Sequence, residues 1–122
     1  MPKEAALAVH DALLAEHGGK PGIPDQGLLD AAMNSPRNHF ADEQASMFRL
    51  AAVYAHGLSQ NHAFVDGNKR VAFTVAVTFL ELNGLRLETS EYEAFSMMNS
   101  LAAGTLGLGE FESWLERSCR SS

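Results

Sequence analysis

The run Asn68-Lys69-Arg70-Val71-Ala72-Phe73-Thr74-Val75-Ala76-Val77-Thr78-Phe79-Leu80-Glu81-Leu82-Asn83 decides the architecture. It is apolar almost all round, and its polar members Thr74, Thr78 and Glu81 recur at i, i+4 and i+7, a single stripe of a 3.6-residue helix. The β-branched Val71, Val75 and Val77 also permit a strand. Yet sixteen residues closing on Asn83-Gly84 exceed an ordinary strand of about five or six and match a helix stopped by a glycine cap. A helix this apolar belongs at the centre of a bundle.

Working outward, Asp42 to Gln60 reads as a second largely buried helix, because Ala45, Phe48, Leu50, Ala52, Val53, Tyr54 and Leu58 fill more than one face. Towards the N-terminus, Lys3 to Glu16 carries Leu7, His10, Leu13 and Leu14 at helical spacing, and the glycine- and proline-dense His17 to Pro24 reads as a loop. Asp25 can cap a short helix bearing Leu28, Leu29, Ala32 and Met33, which Pro36 ends. Past the central helix, Leu85-Arg86-Leu87 suits a small ribbon at most. Ser90 with Glu93 has the spacing of a capping box, opening a helix through Tyr92, Phe95, Met98, Leu101 and Ala102. Gly104, Gly107 and Gly109 break it, and Phe111, Trp114 and Leu115 mark a last amphipathic helix. The expectation is one all-α domain over residues 1–122, a compact bundle of about six helices around a central buried helix.

The chain's 122 residues suffice for one real core without disulfides or a structural metal. A net charge of −6 and a pI near 5.2 disfavour general nucleic-acid binding, since phosphodiester backbones are repelled at long range. The lone Cys119 has no intrachain partner, and no stretch resembles a secretory leader, which together point to a reducing, cytoplasmic compartment. No apolar run is long enough to suggest a membrane span.

Chemistry concentrates in Asn61-His62-Ala63-Phe64-Val65-Asp66-Gly67-Asn68-Lys69-Arg70, between the two most buried helices. The N-terminus of the second helix offers unpaired backbone N–H groups and a positive dipole end. Lys69 and Arg70 stand in that first turn, where the dipole alone favours acidic residues. A bound anion such as a di- or triphosphate explains their presence, because the dipole and both cations then act together. Gly67 lets the backbone approach a ligand closely. Asp66 suits a bridging Mg²⁺, which takes one or two carboxylates plus phosphate oxygens, and His62 supplies a base titrating near neutrality. Those parts are what phosphoryl or nucleotidyl transfer to a hydroxyl requires. The blander readings are that His62 and Asp66 cap helix ends and that Lys69 and Arg70 form surface ion pairs. His10 on its apolar face reads as structural, and Met97 and Met98 as core filler.

The nonapeptide HAFVDGNKR resembles the signature of the Fic/Doc family, and specifically its Doc (death-on-curing) branch. The block Ile-Pro-Asp-Gln-Gly-Leu-Leu-Asp-Ala-Ala, the stretch Asn-Ser-Pro-Arg-Asn and the end Phe-Leu-Glu-Leu-Asn-Gly of the central helix extend the resemblance over nearly the whole chain. The resemblance implies the all-helical Fic/Doc fold and a toxin of a toxin–antitoxin pair that phosphorylates a threonine or serine of a translation factor, elongation factor Tu. By the same resemblance His62 is the catalytic base and Asp66 the Mg²⁺ ligand. Gly67, Asn68, Lys69 and Arg70 hold the phosphates of ATP, and Phe64 anchors the loop. The implied partner is an antitoxin whose C-terminal segment, disordered alone, folds on binding. In the nucleotidyl-transferring Fic branch a second glycine usually stands at the position of Lys69, so this departure favours movement of the terminal phosphoryl group rather than AMP.

Three rivals stand beside that expectation. A nucleotidyl transferase would use the same residues. A non-catalytic nucleotide-binding regulator is disfavoured by intact His62 and Asp66. A His-Asn-His nuclease is disfavoured by the lack of a second histidine at ligand spacing and of a basic face.

Overall fold

A computed structural model describes residues 3–18, 27–34, 46–61 and 68–121. Six helices lie among them: α1 (Lys3–His17), α2 (residues 27–34), α3 (Met47–Asn61), α4 (Asn68–Leu82), α5 (Glu91–Ala103) and α6 (Leu108–Ser118). The remaining regular structure is an antiparallel ribbon of β1 (Leu85–Leu87) and β2 (Cys119–Ser121), with Leu85 opposite Ser121 and Leu87 opposite Cys119. This is the all-α bundle expected from the hydrophobic patterning.

The run that opened the reading is α4. Val71, Ala72, Val75, Ala76 and Leu80 are buried, and the helix packs on α1, α3, α5 and β1. Its polar stripe faces outward, with Thr74 and Thr78 half-buried and Glu81 exposed. The helix stops where expected, because Gly84 adopts φ 80°, a left-handed conformation that costs an L side chain and little in glycine. The main partner of α4 is α3, where every residue from 50 to 55 is buried together with Leu58 and Ser59. Tyr54 of α3 meets Phe79 of α4 with ring centroids 5.2 Å apart, in a tilted arrangement.

Helix α3 starts later than the expected Asp42. Ser46 caps it: its Oγ accepts the N–H of Arg49 at 3.1 Å, and its carbonyl accepts the N–H of Leu50 at 3.0 Å. A serine in that role satisfies an otherwise orphaned donor and sets the helix start at Met47; residues 42–45 lie outside the described residues. In α2, Leu29, Ala32 and Met33 are buried, whereas Leu28 sits at the rim. Asp25 and Pro36, expected to bound that helix, also lie outside the described residues.

Helix α5 departs from the expected face. The serine half of its capping box is formed, the Glu93 N–H donating to Ser90 Oγ at 3.1 Å. The Glu93 carboxylate, however, accepts the indole N–H of Trp114 in α6 at 2.7 Å. That bond and the inward placement of Ala94 turn the helix so that Ala94, Met98 and Leu101 are buried. Tyr92 and Phe95, expected on the packed stripe, are 83% and 68% exposed. Helix α6 buries Phe111, Trp114 and Leu115 as its spacing requires, and Arg49 of α3 reaches Glu112 at 3.2 Å.

The chain end supplies a partner for β1 that the patterning does not reveal: α6 ends at Ser118 and the next three residues extend beside β1. Cys119 is buried there. Burial pushes its thiol pKa up, with the positive charge of Arg120 partly opposing the shift. The raised value means that this group's stabilising contribution is complete below the unfolded thiol pKa and is lost as pH rises through the folded one.

Two sets of outcomes are expected. Phe111→Ala should cost about 3–5 kcal/mol in urea unfolding, whereas Tyr92→Ser and Phe95→Ser should each stay within about 0.5 kcal/mol. A loss at Phe95 comparable to that at Phe111 would contradict the rotation of α5. Iodoacetamide at about pH 8 should alkylate Cys119 far more slowly in the native chain than in the urea-unfolded chain, since the thiolate is the reacting form.

Candidate active site

Helices α3 and α4 pack along one another and are joined by only residues 62–67. So short a connection requires them to run antiparallel, which puts the end of α3 and the first turn of α4 at one end of the bundle. Of the residues expected to act, Asn68, Lys69 and Arg70 open α4, with Asn68 half-buried and the two cations exposed. His62, Phe64, Asp66 and Gly67 lie outside the described residues.

Electrostatically, the first turn of α4 is positive twice over. It holds no acidic side chain, it carries Lys69 and Arg70, and it is the positive end of the helix dipole. Repulsion among these like charges is relieved by an anion, and a phosphate placed there meets backbone N–H donors, a lysine point charge and a planar guanidinium. A group of three or more His, Cys, Asp and Glu side chains able to cage a metal does not occur among the described residues. Mg²⁺ bound through one carboxylate and phosphate oxygens needs no such cage.

The end of α5 meets the same region. Gln60, in the last turn of α3, donates its side-chain amide to the carbonyl of Ala102 at 2.7 Å and to that of Leu101 at 3.4 Å. Lys69 donates from Nζ to Asn99 Oδ1 at 2.9 Å. Neither Gln60 nor Asn99 stands out in the sequence, because their partners are 41 or 42 residues away for Gln60 and 30 for Asn99. A side-chain amide at a helix end is too common to signal such a tie. The open groove of about 520 Å³ between α5 and α6, lined by Met97, Leu106, Glu110, Ser113 and Arg117 among others, shares no residue with the motif.

Comparison with known proteins identifies the family. The model of the Fic/DOC family matches residues 1–80, a span that ends within α4. The chain is 30% identical over 115 residues to "Protein kinase doc" of Escherichia phage P1, covering 93% of this chain and 90% of that protein. It is 39% identical over 90 residues to "Toxin Doc" of Mycolicibacterium smegmatis, covering 70% of this chain and 68% of the relative. The chain belongs to the Fic/Doc family, in its Doc branch.

Loss of the Gln60 tie is measurable. Gln60→Ala removes the donor from two carbonyls at the end of α5 and should lower stability by about 1–2 kcal/mol in urea unfolding. Gln60→Glu should cost more, because a carboxylate would then face those carbonyls. If both variants unfold like the parent chain, the tie does not hold α5 to α3.

Proposed function

We propose that this chain is the toxin of a toxin–antitoxin pair and acts in the cytoplasm, transferring the γ-phosphoryl group of ATP to a threonine or serine hydroxyl of elongation factor Tu. The observation that carries this reading is the pair of exposed cations, Lys69 and Arg70, in an acid-free first turn of the central helix of an otherwise acidic chain. Family membership and relatives named as a kinase and a toxin support it.

In this reading His62 accepts the hydroxyl proton as the acceptor oxygen bonds to the γ-phosphorus. The bond from that phosphorus to the β–γ bridging oxygen breaks, and ADP leaves with the bonding electrons. Asn68, Lys69, Arg70 and the backbone at Gly67 bind the phosphates and compensate the charge that collects on them. Phe64 anchors the loop carrying the base. Asp66 would hold Mg²⁺, which when bound neutralises phosphate charge. The lysine at position 69, where the nucleotidyl-transferring branch usually has glycine, favours transfer of the terminal group.

The deciding experiment incubates the protein and a cell extract with ATP labelled at either the α or the γ phosphate. Label from the γ position on a protein of elongation factor Tu's mass is expected; label from the α position would make the chain a nucleotidyl transferase. His62→Ala should fold normally and lower transfer by about 10²- to 10⁴-fold, the usual contribution of a general base. Asp66→Asn should retain the cap's shape and lose Mg²⁺-dependent nucleotide binding in calorimetry. Undiminished transfer by folded His62→Ala, or unchanged Mg²⁺ dependence in Asp66→Asn, would remove the corresponding role.

The partner follows from the same charges. An antitoxin segment that folds on binding should combine apolar anchors with acidic residues opposite Lys69 and Arg70. Expression of the chain alone should arrest growth, and co-expression of the short protein encoded beside it should restore growth and yield a complex that survives purification. A harmless chain that binds no neighbouring product would end the toxin reading.

A further inference from the structure

The phosphate-facing lysine is not left to find its own geometry. Lysine carries its charge on a flexible four-carbon stem with three rotatable donors, so an exposed lysine at a helix start samples many positions. Here one N–H of the Lys69 ammonium is committed to Asn99 Oδ1 at 2.9 Å, and Asn99 is half-buried on α5. We propose that Asn99 is a positioning residue for Lys69, holding its ammonium at the entrance to α4 with two donors still free for phosphate oxygens. This inference rests on the phosphate-binding role given to Lys69 above.

The chemistry of the acceptor matters. An amide oxygen orients an ammonium by a hydrogen bond but leaves its full charge available, whereas a carboxylate at the same place would neutralise it and compete with the phosphate. Asparagine therefore does what aspartate could not.

The support behind Asn99 is firm. The following turn of α5 is closed by Gly104 at φ 81°, whose N–H donates to Leu101, while the carbonyl of Ser100 accepts the N–H groups of Thr105 and Leu106. Gln60 then fastens the carbonyls of Leu101 and Ala102 to the end of α3. The last turns of α5 thus brace both helices that flank residues 62–67, one through Gln60 and the other through Asn99 and Lys69. A residue missing from the linear motif joins the site through this brace.

The test is a double-mutant cycle on the full chain, with ATP binding in the presence of Mg²⁺ read by calorimetry and thermal unfolding measured alongside. Lys69→Ala should weaken binding by about tenfold or more. Asn99→Ala should weaken it by about three- to tenfold with little change in unfolding temperature. In the Lys69→Ala background, Asn99→Ala should have no further effect, since the ammonium it positions is gone. Asn99→Asp, nearly identical in shape, should also weaken binding in the parent chain and much less in the Lys69→Ala background.

The inference is overturned alone if Lys69→Ala weakens binding while Asn99→Ala does not, or if the two losses simply multiply. If instead the parent chain binds no ATP, or Lys69→Ala binds as well as the parent, the phosphate reading of Lys69 falls and the role of Asn99 with it.

Discussion

The contact between α3 and α4 is the constraint on which the rest of the molecule depends. The buried residues of these two helices include Ala51, Ala52 and Ala55 on one and Ala72 and Ala76 on the other, flanked by Val71, Val75, Leu58 and Leu80. Small residues let two helix backbones approach closely, and the larger ones lock the approach through dispersion contacts. With α3 buried over six consecutive residues and α4 packed on several elements at once, α1, α5, α6 and β1 all pack against this pair. Two consequences follow for function. The end of α3 and the start of α4, which flank residues 62–67 in the sequence, belong to this packed pair. The backbone of the first turn of α4 continues into the buried Val71 and Ala72, so the positive end of the helix dipole is set by the same packing.

That field works against stability in the free chain. Cations in the first turn of a helix oppose its dipole, and a glycine-containing approach to that turn adds conformational entropy to the unfolded state. A chain selected only to fold would place Asp or Glu there, as α5 does with Glu91 and Glu93 in its own first turn. The contrast within one small protein is informative. The two helix starts share a solvent and a scaffold and differ in sign.

How much of this can be read from residues alone differs from element to element. The identity of α4 follows from periodicity and a glycine stop, because a fully buried helix leaves a pattern that no exposed segment shares. The rotation of α5 does not follow. Residues 91–103 offer two nearly equivalent apolar stripes, one through Tyr92 and Phe95 and one through Ala94, and both run on through Met98 and Leu101. The choice between them is made by the hydrogen bond from Trp114 to Glu93, a contact 21 residues distant. The later start of α3 turns on the cap at Ser46, and serine is frequent enough to be passed over. The pairing of β2 with β1 joins segments more than thirty positions apart, each of only three residues, too short to show an alternation.

The site divides along the same line. His62, Asp66, Gly67, Lys69 and Arg70 are contiguous enough for their chemistry to be recognised as a set, and their likeness to a family signature makes the set specific. Gln60 and Asn99 carry no such signal, because what they do depends on three-dimensional neighbours. Their chemistry nonetheless explains a feature of the motif that spacing leaves open. A glycine at position 69 would make no demand on α5, whereas a lysine there has a long stem whose conformational freedom must be restricted before its charge can act at a defined point. In this chain the acceptor that meets the ammonium is neutral and sits one turn before a helix end fastened by Gly104 and Gln60. In the proposed reading, lysine on α4 and a braced amide on α5 are therefore two halves of one device, and phosphate binding by the lysine would draw on the packing of α5 as well as on the motif itself.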